Sequence, residues 1–71
     1  GYASEAARAC RDWAFANTPF RQLFFCMKRD NFPSAATACA IGMRFQGDFV
    51  DAEGELSSVY AIPRAEWEPL R

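Results

Sequence analysis

Arg21-Gln22-Leu23-Phe24-Phe25-Cys26-Met27 is a short apolar run without alternation, and the polar turn Lys28-Arg29-Asp30-Asn31-Phe32 follows it at once. An apolar segment of this length, bounded by turn residues, reads as a strand buried on both faces. Pro33 then suits the first turn of a helix, where a missing N–H leaves no bond unmade. The small residues Ser34-Ala35-Ala36-Thr37-Ala38-Cys39-Ala40 carry that helix to about Ile41, and Gly42 stops it. This strand, turn and helix anchor the reading of everything on either side.

Upstream, residues 2–17 predict a helix. Ala3, Ala6, Ala7, Cys10, Trp13, Ala14 and Asn17 recur at helical spacing and define its expected inner face. Glu5, Arg8, Arg11 and Asp12 lie away from that face, and Glu5 in the first turn suits the helix dipole. Phe15 falls off the stripe, so it is expected either to be exposed or to be covered by an element outside this sequence. Asn17-Thr18-Pro19 ends the helix, because a residue before proline avoids the helical region. Downstream, Met43, Phe45, Gly47 and Phe49 alternate with Arg44, Gln46 and Asp48, the pattern of a half-buried strand. Asp51-Ala52-Glu53-Gly54-Glu55 is a hairpin turn, Leu56 to Ile62 is the returning strand, and Arg64 to Arg71 is a tail with a short helical turn around Trp67. The order is α-β-α-β-β. It implies an α/β (α+β) fold in which two helices pack on a small mixed three-stranded sheet. A strand buried on both sides with only two companions looks like part of a larger sheet.

Composition narrows the function. The chain has 71 residues, enough for a single domain and too few for two cores. Eight Lys+Arg against nine Asp+Glu give a net charge of −1, which removes the electrostatic reason to expect nucleic acid; only Arg21, Lys28 and Arg29 cluster. No apolar run approaches 18 residues, so no membrane span is expected. Cys10, Cys26 and Cys39 are odd in number, no C-x-x-C occurs and there is no histidine, so neither a metal site nor a Cys–His or Ser–His pair is expected. Three reduced, buried thiols in a cytoplasmic protein is the expectation, with a reactive thiol as the alternative. The chain opens on Gly1 rather than methionine, which leads us to expect residues upstream.

Two segments carry candidate chemistry. Gly1-Tyr2-Ala3-Ser4-Glu5-Ala6-Ala7 opens a helix with glycine and small residues, leaving backbone N–H groups at a positive dipole end, an arrangement that binds phosphate. On the residues alone, an ordinary alanine-rich packing helix is the commoner reading. Asp30-Asn31-Phe32-Pro33-Ser34 links the end of a strand to a helix, where open α/β sheets place ligands. Asn31 can both donate and accept along an amide-containing ligand, and Ser34 brings a hydroxyl one turn away. Plain helix capping by Asp30, Asn31 or Ser34 is the competing reading.

Gly1-Tyr2-Ala3-Ser4-Glu5-Ala6-Ala7, Trp13-Ala14-Phe15, Asn31 with Ser34, Gly42-Met43 and Gly47, in that order, resemble the C-terminal half of a GNAT N-acetyltransferase. The branch that includes the acetyltransferases of ribosomal-protein N-termini is the most similar. The resemblance runs from residue 1 to about 67 and implies a single domain over 1–71 whose N-terminal strands and helices lie outside this sequence. It implies that an Arg/Gln-x-x-Gly-x-Gly/Ala loop binds the pyrophosphate of acetyl-CoA, with Gly1 and Ala3 at its last two marked positions and Tyr2 between them. It implies that Asn31 contacts the pantetheine arm or pins the splayed strand, and that Ser34 protonates the departing thiolate. Where other branches carry a tyrosine, seven residues after the asparagine, this chain has Ala38. The final strand is expected between its predecessor and the strand at 21–27. The implied activity is acetyl transfer from acetyl-CoA to an amine, with the 71-residue chain inactive or nearly so. The alternative is a small non-catalytic α/β module that self-associates, as a homodimer, through its sheet edge. Its motives are the apolar strand, the unplaced Phe15 and the small size.

Overall fold

The computed structural model describes residues 2–70. Helix α1 (Tyr2–Asn17) leads to strand β1 (Gln22–Lys28), then helix α2 (Phe32–Ala40), strands β2 (Arg44–Val50) and β3 (Leu56–Pro63), and a short helix α3 (Arg64–Trp67) continued by a 3-10 turn over Glu68–Leu70. The sheet order is β1-β3-β2, so the last strand inserts between the other two as expected. Both pairings are antiparallel, which corrects the mixed sheet expected from the sequence. Each of the three strands reverses on its neighbour, because the parallel crossover from β1 over α2 places β2 one strand away rather than alongside.

One face of the sheet carries Leu23, Phe25 and Met27 of β1 opposite Ile62, Tyr60 and Ser58 of β3. The helices pack there. The core is Phe15, Met27, Ala38, Ile41, Met43, Ile62 and Trp67, flanked by Ala7, Leu23, Phe25 and Tyr60. The opposite face of β1 presents Gln22, Phe24, Cys26 and Lys28, and Phe24 is 60% exposed. β1 is therefore covered on one face, not two; among the described residues no element lies over the other. In β2 the expected alternation also breaks. The register slips between Phe45 and Gly47, putting Phe45 opposite Tyr60 and Phe49 opposite Ser57 on the other face. Gly47 takes a φ of +149° at this bulge, a backbone conformation that side chains disfavour.

Helix α1 is turned by about one residue from its expected orientation. Its inward residues are Ala7, Arg11, Ala14 and Phe15, while Ala3, Ala6, Cys10, Trp13 and Asn17 are exposed. Phe15, which the sequence left unplaced, is 1% exposed and stacks on Trp67 with centroids 5.0 Å apart. The cover comes from the C-terminal tail of this chain. Arg64 completes the closure: its guanidinium donates to the carbonyls of Phe15 at 2.6 Å, Thr18 at 2.6 Å and Phe20 at 2.9 Å, and sits over the Phe15 ring. The Phe15 carbonyl is one that a helix leaves without a partner in its last turn, and those of Thr18 and Phe20 belong to the chain leaving it. Trp67 Nε1 donates to Asp12 Oδ1 at 2.7 Å, and that bond, helped by Arg11, holds the Asp12 carboxyl below its ordinary range.

Rotation of α1 also changes the cysteines. All three are free and exposed, which corrects the expectation of buried thiols. Cys10 lies beside the inward face of α1 rather than on it, Cys26 points from the open face of β1, and Cys39 follows the inward Ala38. No helix of the described residues is long and apolar enough to cross a membrane.

The hairpin is held by a charge cluster. Lys28 Nζ lies 2.6 Å from Asp51 Oδ2 and 3.0 Å from Glu53 Oε1, and Asp51 Oδ1 accepts from the amides of Glu53 and Glu55. The Lys28 ammonium, then the Glu55 amide, depress the Asp51 carboxyl well below the usual carboxylate range. The Asp51 carboxylate, then Glu53, raise the Lys28 ammonium above the usual lysine range.

Two outcomes follow from this packing. Trp67→Ala should cost about 3–5 kcal/mol by the measure of buried aromatic truncations, read as a lowered urea midpoint. Because a domain this small has little stability to lose, the variant should be largely unfolded. Acid should weaken the fold through Asp12 and Asp51. A depressed carboxylate contributes stability that is whole above the unfolded value near pH 4 and drains away as pH falls below it. Urea midpoints measured from neutral to strongly acid pH should decline on that limb, and Asp51→Asn should flatten the decline.

Candidate functional site

Short connections on both sides of β1 force the chain to reverse twice, so α1 and α2 run in the same direction. Side chains bear this out. Ala3 and Ala7 of α1 lie across from Pro33, Ser34 and Thr37 of α2, and further along Arg8 and Arg11 reach the carbonyls of Ala40 and Ile41. Both N-termini therefore open at one end of the molecule. Between them runs a groove of about 270 Å³, with Phe25 of β1 in its lining. Its walls are mostly methyl groups and ring, with the hydroxyls of Ser34 and Thr37 on one side.

The opening of α2 is built locally. Asn31 is its N-cap, with the side-chain oxygen accepting from the Ser34 amide at 3.3 Å, and Pro33 sits in the first turn. Capping therefore accounts for Asn31 as it stands, and the Asn31 side chain is committed to the backbone of the residue it was paired with in the sequence reading. Thr37 Oγ1 donates back to the Pro33 carbonyl at 3.0 Å. At the far end Gly42 has a φ of +91°, a backbone conformation that favours glycine; a Cβ there would meet only the mobile tip of the exposed Leu70 side chain, which can shift aside.

Of the site residues expected from the sequence, Ala3 and Ser34 line the same groove. Tyr2 is in the first turn of α1 and highly exposed, Asn31 caps α2 beside the groove, and Gly1 lies outside the described residues. Ala38 is fully buried in the core, so its position points at the sheet and away from the groove. Ala7 and Pro33 fell within the two candidate segments without an assigned role, and the sequence reading missed Phe25 and Thr37. Two of these follow from helical spacing: Ala7 is four residues after Ala3, and Thr37 three after Ser34.

Other hollows lie among the described residues. One, about 320 Å³, continues along α1 past Ala7 and Arg11 toward Ala14, Leu23 and Met43 and is almost wholly apolar. Another, about 470 Å³, lies at Arg29, Asp30, Phe32, Glu55 and Leu56. Its two carboxylates beside one guanidinium suit a phosphate chain poorly, and so the smaller groove between the helix openings is the better candidate.

A family profile described as acetyltransferase (GNAT) domain matches residues 1–44. The chain belongs to the GNAT acetyltransferase family. Among solved structures it is similar to the acetyltransferase (GNAT family) from Bacillus anthracis, with 31% identity and a TM-score of 0.84, covering 93% of this chain and 43% of that one. It is also similar to a GCN5-related N-acetyltransferase from Brucella melitensis, with 25% identity and a TM-score of 0.82, covering 96% of this chain and 33% of that one. The chain thus spans less than half the length of either structure. No curated protein matches the sequence.

The local architecture has a direct test. Asn31→Ala should cost about 1 kcal/mol, the usual loss for an N-cap, whereas Asn31→Asp should stay near wild type; thermal unfolding followed by circular dichroism reads the difference.

Proposed function

We propose that this chain forms one wall of the acetyl-CoA cleft of a GNAT N-acetyltransferase, from the branch that includes the acetyltransferases of ribosomal-protein N-termini. The observation that carries the reading is the groove shared by the first turns of α1 and α2, in a chain of this family. Two helix N-termini facing one groove turn the positive ends of two dipoles toward it, which favours a pyrophosphate; in the first turn of α2 Pro33 has no N–H and the Phe32, Ser34 and Ala35 amides are already bonded, so α2 contributes its dipole and not free donors. Gly1, Tyr2 and Ala3 are the residues assigned to that anion. The methyl and ring walls with interspersed hydroxyls suit a pantetheine arm, a chain of methylenes and amides, and Asn31 and Ser34 are assigned to it.

In the reaction the amine nitrogen attacks the thioester carbonyl and gives up a proton to a base or water chain, the new C–N bond forms, the C–S bond breaks, and the thiolate leaves with a proton from an acid. Ser34 is assigned as that acid. An alcohol is a weak donor, so Ser34 acts as a relay between the sulfur and a stronger source. Groups that polarise the carbonyl and hold the amine acceptor are not among the residues around this groove. The 71-residue chain is therefore inactive or nearly so by itself, a single domain's C-terminal part working in the cytoplasm.

Titration of the 15N-labelled chain with CoA should move the amide signals of Tyr2, Ala3, Ser4, Asn31 and Ser34 first, and the chain should not turn over acetyl-CoA. Shifts scattered over the sheet, or none at millimolar CoA, contradict the assignment of the cleft; measurable turnover contradicts the inactivity.

A second reading, self-association as a homodimer without catalysis, is favoured by one feature. β1 pairs only with β3, and its outer edge stands beside the exposed Phe24. Sedimentation velocity should then give a dimer that dissociates on dilution; a monomer at all concentrations contradicts it.

A further inference from the structure

Parallel packing of α1 and α2 places like dipole ends side by side, each equivalent to roughly half an elementary charge. Nothing in that arrangement favours convergence of the two N-termini; it must be held from elsewhere. Neither helix has a basic residue in its own last turn. Both borrow arginines. The end of α1 is served by Arg64, as described, and the end of α2 by α1 itself. Arg11 Nη1 donates to the Ile41 carbonyl at 2.6 Å, and Arg8 Nη2 to the Ala40 carbonyl at 3.3 Å.

The two are not equivalent. Arg8 reaches across the surface. Arg11 is 7% exposed, with Nε on Asp12 Oδ1 at 3.0 Å, and Asp12 is in turn fixed by Trp67. A buried guanidinium with a short bond to a helix-end carbonyl is a strong, directional tie. Its anchor on α1 is one turn beyond Ala7, which lines the groove. The tie therefore fixes how far α2 lies from α1 just where the groove begins.

We propose that Arg11 is a positioning residue for the acetyl-CoA groove: by holding the Ile41 carbonyl it sets the spacing and alignment of the first turns of α1 and α2. This rests on the acetyl-CoA reading for its link to binding. The geometric half stands independently of any ligand. Arg11 lines the adjoining apolar hollow but not the groove between Ala3 and Ser34, so its influence on that groove is exerted through the two helices.

The test uses the full 71-residue chain by NMR with two readouts. The first is the set of NOEs across the groove, from the Ala7 methyl to the Thr37 methyl and from Ala3 to Pro33, with β1–β3 cross-strand NOEs as the internal measure of an intact sheet. The second is the CoA titration followed at Tyr2, Ala3, Ser4 and Ser34. In Arg11→Met, which keeps the stem and loses the donors, the cross-groove NOEs should weaken while the β1–β3 NOEs persist, and CoA affinity should fall roughly tenfold. Arg11→Lys, with charge and one donor, should recover most of both. Cross-groove NOEs and CoA affinity at wild-type values in Arg11→Met overturn the proposal, as does failure of Arg11→Lys to recover either. Should Arg11→Met not fold, Arg11→Gln decides: with a donor on a shorter stem and no charge, it should weaken the cross-groove NOEs and move the amide signals of residues 2–4 and Ser34, and a perturbation confined to Ile41 and Gly42 overturns the proposal. A wild-type chain that gives no shifts with CoA overturns the acetyl-CoA reading and the link to binding, and the NOEs then decide the positioning alone.

Discussion

The stack of Trp67 on Phe15, with Arg64 fastened to the carbonyls at the end of α1, is the contact on which the remaining structure depends. It joins the last helical turn of the chain to the first helix, and so closes a core that the sheet and α2 cannot close alone. In a chain of 71 residues there is little other apolar area to compensate. The clamp combines three effects at one place: aromatic burial, a cation over two rings, and satisfaction of helix-end carbonyls. It also reaches Asp12 through the indole N–H, and through Asp12 it reaches Arg11. Packing and polar bonding thus run without a break from the tail to the C-terminal end of α2.

That continuity gives the groove its shape. Two parallel helices would otherwise set their like ends apart. Arginines placed at their C-terminal ends offset this, and the N-terminal ends converge where Ala3 faces Ser34. Small side chains on the facing turns leave room between the helices. Larger residues at Ala3 or Ala7 would fill the space with protein.

The uncovered face of the sheet is the counterpart of this economy. With both helices on one side, Phe24 and Phe49 remain exposed on the other. The solved GNAT structures similar to this chain are more than twice its length.

Much of the architecture was legible in the sequence because local chemistry dictates it. Pro33 and Gly42 bracket α2, Gly54 marks the hairpin, and the strand at 21–27 lies within one residue of its observed span. The order of elements and the resemblance to the family came from the same local signals, as did the pairing of Ala3 with Ser34 as a candidate site. What periodicity could not supply was the rotation of α1, the one-sided burial of β1 and the bulge that splits Phe45 from Phe49. Each depends on what lies distant in sequence: Phe15 turns inward because Trp67 waits there, Arg11 because Ile41 has a carbonyl to satisfy, and Phe24 stays exposed because no element among the described residues covers it. Local sequence determined which segments are helix, strand and turn. Only the tertiary structure decided which side of each faces in, since that is set by contacts between residues some 30 to 55 positions apart.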